Sequence, residues 1–244
     1  MNNSKVIGII MTYNCAHLVE GIYRRLPLDV FDEVIIADDG SADNIEEVAH
    51  KIGLPYFSHE HGGYGTNIKY GLQKALERGA EYMVEIHGDG QYDPDFIPAG
   101  LQKIQQGYAF LMGSRFVNIL QPLRDKMSLI RYMGNICLSF MDRLVLRLPL
   151  TEFHSGFRIY SRQLIEKLST AGTSADYLYS FEIIAQAKYC NLPVTEIPIR
   201  CDYSQDHTSI GLRKSFIYAW QTRKVLAKYI LARMGFKIKI FNCR

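Results

Sequence analysis

Short apolar runs alternate with segments of helical periodicity along the first half of the chain. Residues 5–11, 33–37, 55–57, 82–86 and 108–113 are rich in Ile, Val, Tyr and Met and are bounded by Gly, Asp, Asn or Pro, which predicts strands. Between them, residues 16–26, 45–51 and 66–78 read as helices, the last with Ile68, Leu72, Ala75 and Leu76 on one face, and Pro94 opens another that runs to about residue 106. This alternation predicts an α/β fold, a mainly parallel central sheet with helices on both faces. The second half is less regular: 128–148 helical, 156–160 extended, 163–168 and 180–189 helical, 194–199 a strand and 212–234 a terminal helix. With no repeat, low-complexity tract or clear linker, residues 1–205 form one domain, followed over 206–244 by a loop and a basic amphipathic helix.

Composition changes little: among 244 residues, 48% are hydrophobic and 22% charged, as in a folded soluble domain. Charge changes more. The net +3 conceals an asymmetry, because all 25 acidic residues lie at or before Asp206 while nine basic ones follow it. In the terminal helix, Arg213, Lys214, Lys224 and Lys228 project to one side and Ala219, Val225, Leu226, Tyr229 and Ile230 mostly to the other, with Phe216, Trp220 and Leu231 among the cations. Basic charge mixed with aromatics predicts an anionic membrane surface; a partner subunit in a homo-oligomer would produce a similar pattern. No nucleic-acid partner is expected. The five cysteines are odd in number and contain no C-x-x-C, so they read as reduced thiols, mostly buried. A polar start, Met1 to Lys5, predicts no signal peptide, and Arg131, Asp142, Arg143 and Arg147 interrupt the most apolar stretch, so no spanning helix is expected. A cytoplasmic protein, peripheral on the cytoplasmic face of a membrane, is the expectation.

Chemistry enters with two acidic turns, each directly after a strand: Asp38-Asp39-Gly40-Ser41, and His87-Gly88-Asp89-Gly90-Gln91-Tyr92-Asp93. Either alone could be ordinary turn punctuation. Together they put carboxylates at the carboxyl ends of buried strands, where open α/β sheets bind ligands. The oxygen donors Asp89, Gln91 and Asp93 at alternate positions suit a hard cation shared with substrate phosphates.

The ordered motifs Met11-Thr12-Tyr13-Asn14, Asp38 to Asp43, His61-Gly62-Gly63-Tyr64-Gly65, Asp89-Gly90-Gln91, Gly113-Ser114-Arg115 and Ser155-Gly156-Phe157-Arg158-Ile159-Tyr160 resemble family-2 glycosyltransferases. The resemblance is to the branch containing dolichyl-phosphate mannose synthase and bacterial polyprenyl-phosphate glycosyltransferases. It implies a GT-A fold, a UDP- or GDP-linked nucleotide-sugar donor and a divalent cation, Mn²⁺ or Mg²⁺. It assigns Thr12, Tyr13, Asn14, Asp38, Asp39 and Ser41 to the nucleotide, Gly63, Gly65, Asn67, Gly88, Asp89 and Arg158 to the rest of the donor, and Arg115 and Arg131 to an acceptor phosphate. Asp89 and Gln91 would hold the metal, with His87 and His207 as further candidate ligands. His207 and Asp206 lie in a segment that resembles a closing loop. Two positions depart from the pattern: His87 replaces the first carboxylate of Asp-x-Asp, and Cys15 stands where Glu is common.

Sugar transfer needs charge neutralised on the departing diphosphate. An acceptor phosphate is already ionised and needs only cations; an acceptor hydroxyl, on a glycan or lipid-linked saccharide, needs a base, for which Glu152 and His154 are the candidates. The expectation is therefore an inverting, metal-dependent transferase acting on a lipid phosphate, with the hydroxyl acceptor as alternative. A nucleotide-sugar binding module without turnover stays open because of His87. A nucleotidyltransferase is disfavoured, since no Gly-rich, Lys- or Arg-bearing loop follows the first strand.

Overall fold

The computed structural model describes residues 4–201, 203 and 212–244. β1 (Val6–Thr12) is buried at all seven positions, as a central strand covered on both faces must be. It pairs in parallel with β2 (Glu33–Asp38) on one side and β4 (Tyr82–His87) on the other, and β3 (Tyr56–Ser58) extends the β2 edge. Beyond β4 the sheet continues through β6 (Arg158–Ser161), β5 (Phe110–Ser114) and β7 (Val194–Pro198), giving the order β3-β2-β1-β4-β6-β5-β7. β6 runs antiparallel to both its neighbours, so the mainly parallel sheet carries one reversed strand.

Helices cover both faces. α1 (Ala16–Arg25), α2 (Ile45–Lys51) and α4 (Ile97–Ile104) bury Val19, Ile22, Ala49 and Leu101 against one side of the sheet. The other side receives α3 (Tyr64–Glu77), α7 (Arg162–Lys167), α8 (Tyr179–Tyr189), the end of α6 (Leu129–Leu146) and the inner face of α9 (Leu212–Arg233). A short α5 (Gln121–Arg124), outside the periodicity reading, precedes α6.

α9 packs on α6 and α8, and its Val225, Leu226, Tyr229 and Ala232 belong to the main core. Phe216, Ile217, Trp220, Ile230 and Leu231 of α9 face outward, as do Leu129, Ile130, Met133, Phe140, Met141 and Leu144 of α6. Among the described residues no helix is long and apolar enough to cross a membrane.

One expectation is overturned. Cys190 and Cys243 form a disulfide, with Cα atoms 5.7 Å apart, so these two cysteines are not reduced thiols. The chain after α9 doubles back to the end of α8, a meeting that a separation of 53 residues hides from sequence reading. Cys137 is exposed, whereas Cys15 and Cys201 are packed in, and burial pushes both of their thiols up to about 11.

Candidate active site

The parallel register brings the carboxyl ends of β1, β2 and β4 to one edge: Thr12 lies opposite Asp38, and Met11 opposite both Ala37 and His87. Asp38 is fully buried and its oxygens are taken by Thr12 Oγ1 at 2.8 Å, the Ser41 N–H at 2.8 Å, Tyr56 Oη at 3.1 Å, Ser58 Oγ at 3.2 Å and the Ser41 hydroxyl. It fastens the ends of β1, β2 and β3. The next carboxylate reaches across to the segment before α3: Asp39 accepts the N–H groups of Gly62 at 2.8 Å and Gly63 at 3.1 Å, and His61 Nδ1 lies 2.9 Å away.

Tyr13 and Asn14 are stitched to the same turn. Asn14, in left-handed backbone, donates its N–H to Ser41 Oγ at 2.8 Å and accepts from the Ala42 N–H at 2.8 Å. Asp43 takes the Ala16 N–H at the start of α1, where Cys15 offers no side-chain cap. The exposed Tyr13 ring stacks on His61 with centroids 4.4 Å apart. Asn67 is buried and ties the Thr12 and Ala37 carbonyls together, at 3.3 and 3.0 Å.

The turn after β4 sits beside this assembly. A Cβ at Gly88 would come 2.5 Å from the Met11 carbonyl and 2.8 Å from Cys15 Sγ, so only glycine lets the turn lie against the end of β1. Asp89 is half-buried and accepts the Gln91 N–H at 3.0 Å; its turn lies against the end of β1 through Gly88 and bridges to Cys201, after β7, through Tyr92. Among the described residues no group of three or more His, Cys, Asp or Glu side chains is arranged to hold a metal. His207 and Asp206 lie outside the described residues.

His87 belongs to a polar network behind the turn. Its Nε2 meets the Gly156 carbonyl at 3.0 Å and Glu85 Oε1 at 3.2 Å; both are acceptors, so Nε2 carries the proton and only Nδ1 is left for a cation. Antiparallel pairing sets Glu85 opposite Arg158, and the Tyr64 hydroxyl donates to Glu85 at 2.6 Å while the Tyr160 hydroxyl donates to its other oxygen. Burial opposes ionisation of Glu85, but the His87 bond, the Arg158 charge and the Tyr160 bond hold its pKa down at about 2. Burial also works against the imidazolium of His87, and the Glu85 hydrogen bond and charge outweigh it to raise the pKa. Arg158 is buried, with Nε and Nη1 making no hydrogen bond.

At the end of β5, Arg115 is clasped by Glu152: Nε donates to Oε1 at 2.8 Å, the backbone N–H to Oε2 at 2.8 Å, and Nη2 also to Oε1. Nη1 donates to Tyr203 Oη at 2.7 Å. Burial penalises the guanidinium, and the Glu152 charge more than compensates, raising its pKa. Glu152 thus orients Arg115. His154 lies apart, buried with Nε2 3.0 Å from Asp142 and Nδ1 3.1 Å from Tyr218 Oη, and Arg223 of α9 donates to Asp142 at 2.6 Å. Arg131 stands at the start of α6, beside the Arg115 loop through a Phe116–Tyr132 ring contact at 5.7 Å; its guanidinium makes no hydrogen bond or ion pair among the described residues.

Residues 9–169 match the family described as Glycosyl transferase family 2. The chain belongs to this family. It is 28% identical over 255 residues to the UDP-N-acetylglucosamine–dolichyl-phosphate N-acetylglucosaminyltransferase of Methanococcus voltae, covering 96% of this chain and 98% of that one. With the polyprenol monophosphomannose synthase of Mycolicibacterium smegmatis it shares 24% identity, over 80% of this chain and 76% of the other. Glucosyl-3-phosphoglycerate synthase of Mycobacterium tuberculosis, solved with uridine diphosphate, superposes with a TM-score of 0.68 at 18% identity, covering 93% of this chain and 80% of its own. The fold is GT-A, and the protein is a glycosyltransferase related to polyprenyl-phosphate sugar transferases.

Two buried acids of these networks escaped sequence reading. Glu85 had a signal, an acid inside an otherwise apolar strand, as did Asp142 inside the apolar α6.

Proposed function

We propose that the protein is an inverting, cation-dependent glycosyltransferase that moves a sugar from a nucleoside-diphosphate donor to a polyprenyl phosphate at a membrane surface. The observation that carries the reading is the half-buried Asp89 carboxylate on a turn packed against the end of β1 and bridged through Tyr92 to the segment after β7. Asp89 with Gln91 is too small a donor set to form a cage, but it fits a hard cation that takes its remaining ligands from substrate phosphates. When bound, the cation would neutralise charge on the departing diphosphate. Tyr13 and His61 offer ring faces to a base, and the Asp39-tied Gly62–Gly63 backbone shapes the wall beside it.

The choice of acceptor rests on the two candidate bases. Glu152 is buried against Arg115 and His154 against Asp142 and Tyr218, so neither is poised to take a proton from a hydroxyl. A phosphate needs no base. Arg115 is neutralised by its own carboxylate, which leaves Arg131 as the cation to seat that phosphate. Direct attack by the phosphate oxygen inverts the anomeric centre. The names of the M. voltae and M. smegmatis relatives support this acceptor class, and the M. tuberculosis enzyme solved with Mn²⁺ and UDP-glucose supports the donor and cation.

Asp89→Ala is expected to abolish both transfer to a short polyprenyl phosphate and Mn²⁺-dependent binding of the donor, read by calorimetry. Retained turnover would remove Asp89 from the mechanism, and release of pyrophosphate instead of nucleoside diphosphate would replace glycosyl with nucleotidyl transfer.

A further inference from the structure

A row of aromatic rings runs beneath the Asp89 turn and reaches solvent at one end. Tyr92 and His87 have centroids 5.2 Å apart, His87 and Tyr64 5.7 Å, and Tyr64 and Tyr177 stack at 4.8 Å with 27° between their planes. The first three rings are partly covered; Tyr177 is 45% exposed and ends the row.

The segment that carries Tyr177 is firmly seated on the start of α3. The Thr66 N–H donates to the Ala175 carbonyl at 3.1 Å, Lys69 Nζ to the Ser174 carbonyl at 2.7 Å, and the Ser174 N–H to Glu182 Oε2 at 2.7 Å. A Cβ at Gly63 or Gly65 would come 2.8 or 2.7 Å from the Ala175 and Asp176 carbonyl oxygens, so both glycines are needed for the approach. A large ring is thereby fixed in the open, joined through Tyr64 to His87 at the start of the Asp89 turn.

We infer that Tyr177 is a specificity-determining residue for the donor, its open ring face being the platform on which the transferred sugar lies. The inference rests on the glycosyl-transfer reading. If Asp89 holds the diphosphate and the Tyr13–His61 pair takes the base, the sugar lies beside the Asp89 turn, and Tyr177 is the exposed end of the ring row that leads from His87 of that turn. The face of an aromatic ring carries negative charge density that attracts the polarised C–H bonds of a pyranose. The Tyr64 hydroxyl, bonded to Glu85 and near His87, locks the other face, so the platform is preorganised.

Calorimetric titrations with Mn²⁺ test this, using UDP against UDP-N-acetylglucosamine and UDP-glucose, and GDP against GDP-mannose. For the pair that binds wild type, Tyr177→Ala should leave the nucleoside diphosphate affinity within about twofold and weaken the nucleotide sugar about tenfold, while Tyr177→Phe keeps both. Equal losses for both ligands, or no loss for either, would overturn the assignment while leaving glycosyl transfer intact. If wild type bound none of the five ligands, the functional reading itself would fall, and the platform with it.

Discussion

Glu85 shows at the scale of one residue how the fold supports its site. It is an acid in the middle of a buried strand, and isolated there it would be neutral. Its partners are instead supplied by register: β6 runs antiparallel to β4, setting Arg158 opposite and Tyr160 within reach, and the strand end brings His87. The unfolded carboxyl titrates near 4.5 and the folded one at about 2, so the stabilisation is fully present above about 4.5 and is lost as pH falls through 2. That shift corresponds to stability on the order of 3 kcal/mol. The penalty of Glu85→Gln, measured by urea unfolding, is therefore expected to be full at pH 7 and to shrink as pH falls from about 4.5 towards 2. A penalty constant over that range would mean that Glu85 acts by shape and not by charge. The sequence placed an acid in this strand but not the pairing, because a reversed strand inserted between β4 and β5 leaves no local trace.

Helices α6 and α9 turn ordinary amphipathicity outward. Both pack on the body through a minority of positions and leave Ile130, Met133, Phe140, Leu144, Phe216 and Trp220 in the open. Their only acid is Asp142, which is buried between His154 and Arg223, so the open surface carries cations alone, among them Lys224 over the Trp220 ring at 5.6 Å. Apolar rings among unopposed cations complement an anionic bilayer. Ile130→Glu and Trp220→Glu should each weaken sedimentation with phosphatidylglycerol-containing vesicles about tenfold, and added salt should weaken wild-type binding. Absence of wild-type vesicle binding together with a stable dimer in analytical ultracentrifugation would assign the surface to a second subunit instead. Helix existence and extent were legible here from periodicity and from residue types. The residues read as spoiling the α9 pattern, Phe216, Trp220 and Leu231, are the outward ones, whereas Ile230, read on the covered side, is half-exposed. Which apolar stripe of α6 would face inward was not legible, because both of its faces are rich in Leu, Ile and Met and only neighbours choose between them.

At the scale of the whole molecule, the alternation of strands and helices was readable because β1, β2, β4 and β5 are buried at most of their positions and each crossover keeps its own periodicity. The path of the last ten residues was not, since their placement depends on a contact with an element far back in the chain. Ile240 and Phe241 enter the main core, the Phe241 ring lies 5.3 Å from Tyr189 and 5.7 Å from Tyr229, and the Cys190–Cys243 bridge pins the tail to the far end of α8 from Tyr179. A cross-link over 53 residues restricts the unfolded chain by an amount worth about 4 kcal/mol. Because the tail is also held by packing, loss of the bridge should lower stability without changing the fold. Cys190→Ser with Cys243→Ser is expected to unfold at lower urea, to become insensitive to dithiothreitol, and to keep wild-type affinity for the donor, since neither cysteine belongs to the site at the strand ends. A wild-type midpoint that dithiothreitol does not move would show that packing alone holds the tail, and a loss of donor affinity in the double variant would show that α8 transmits the tail's position to the segment bearing Tyr177.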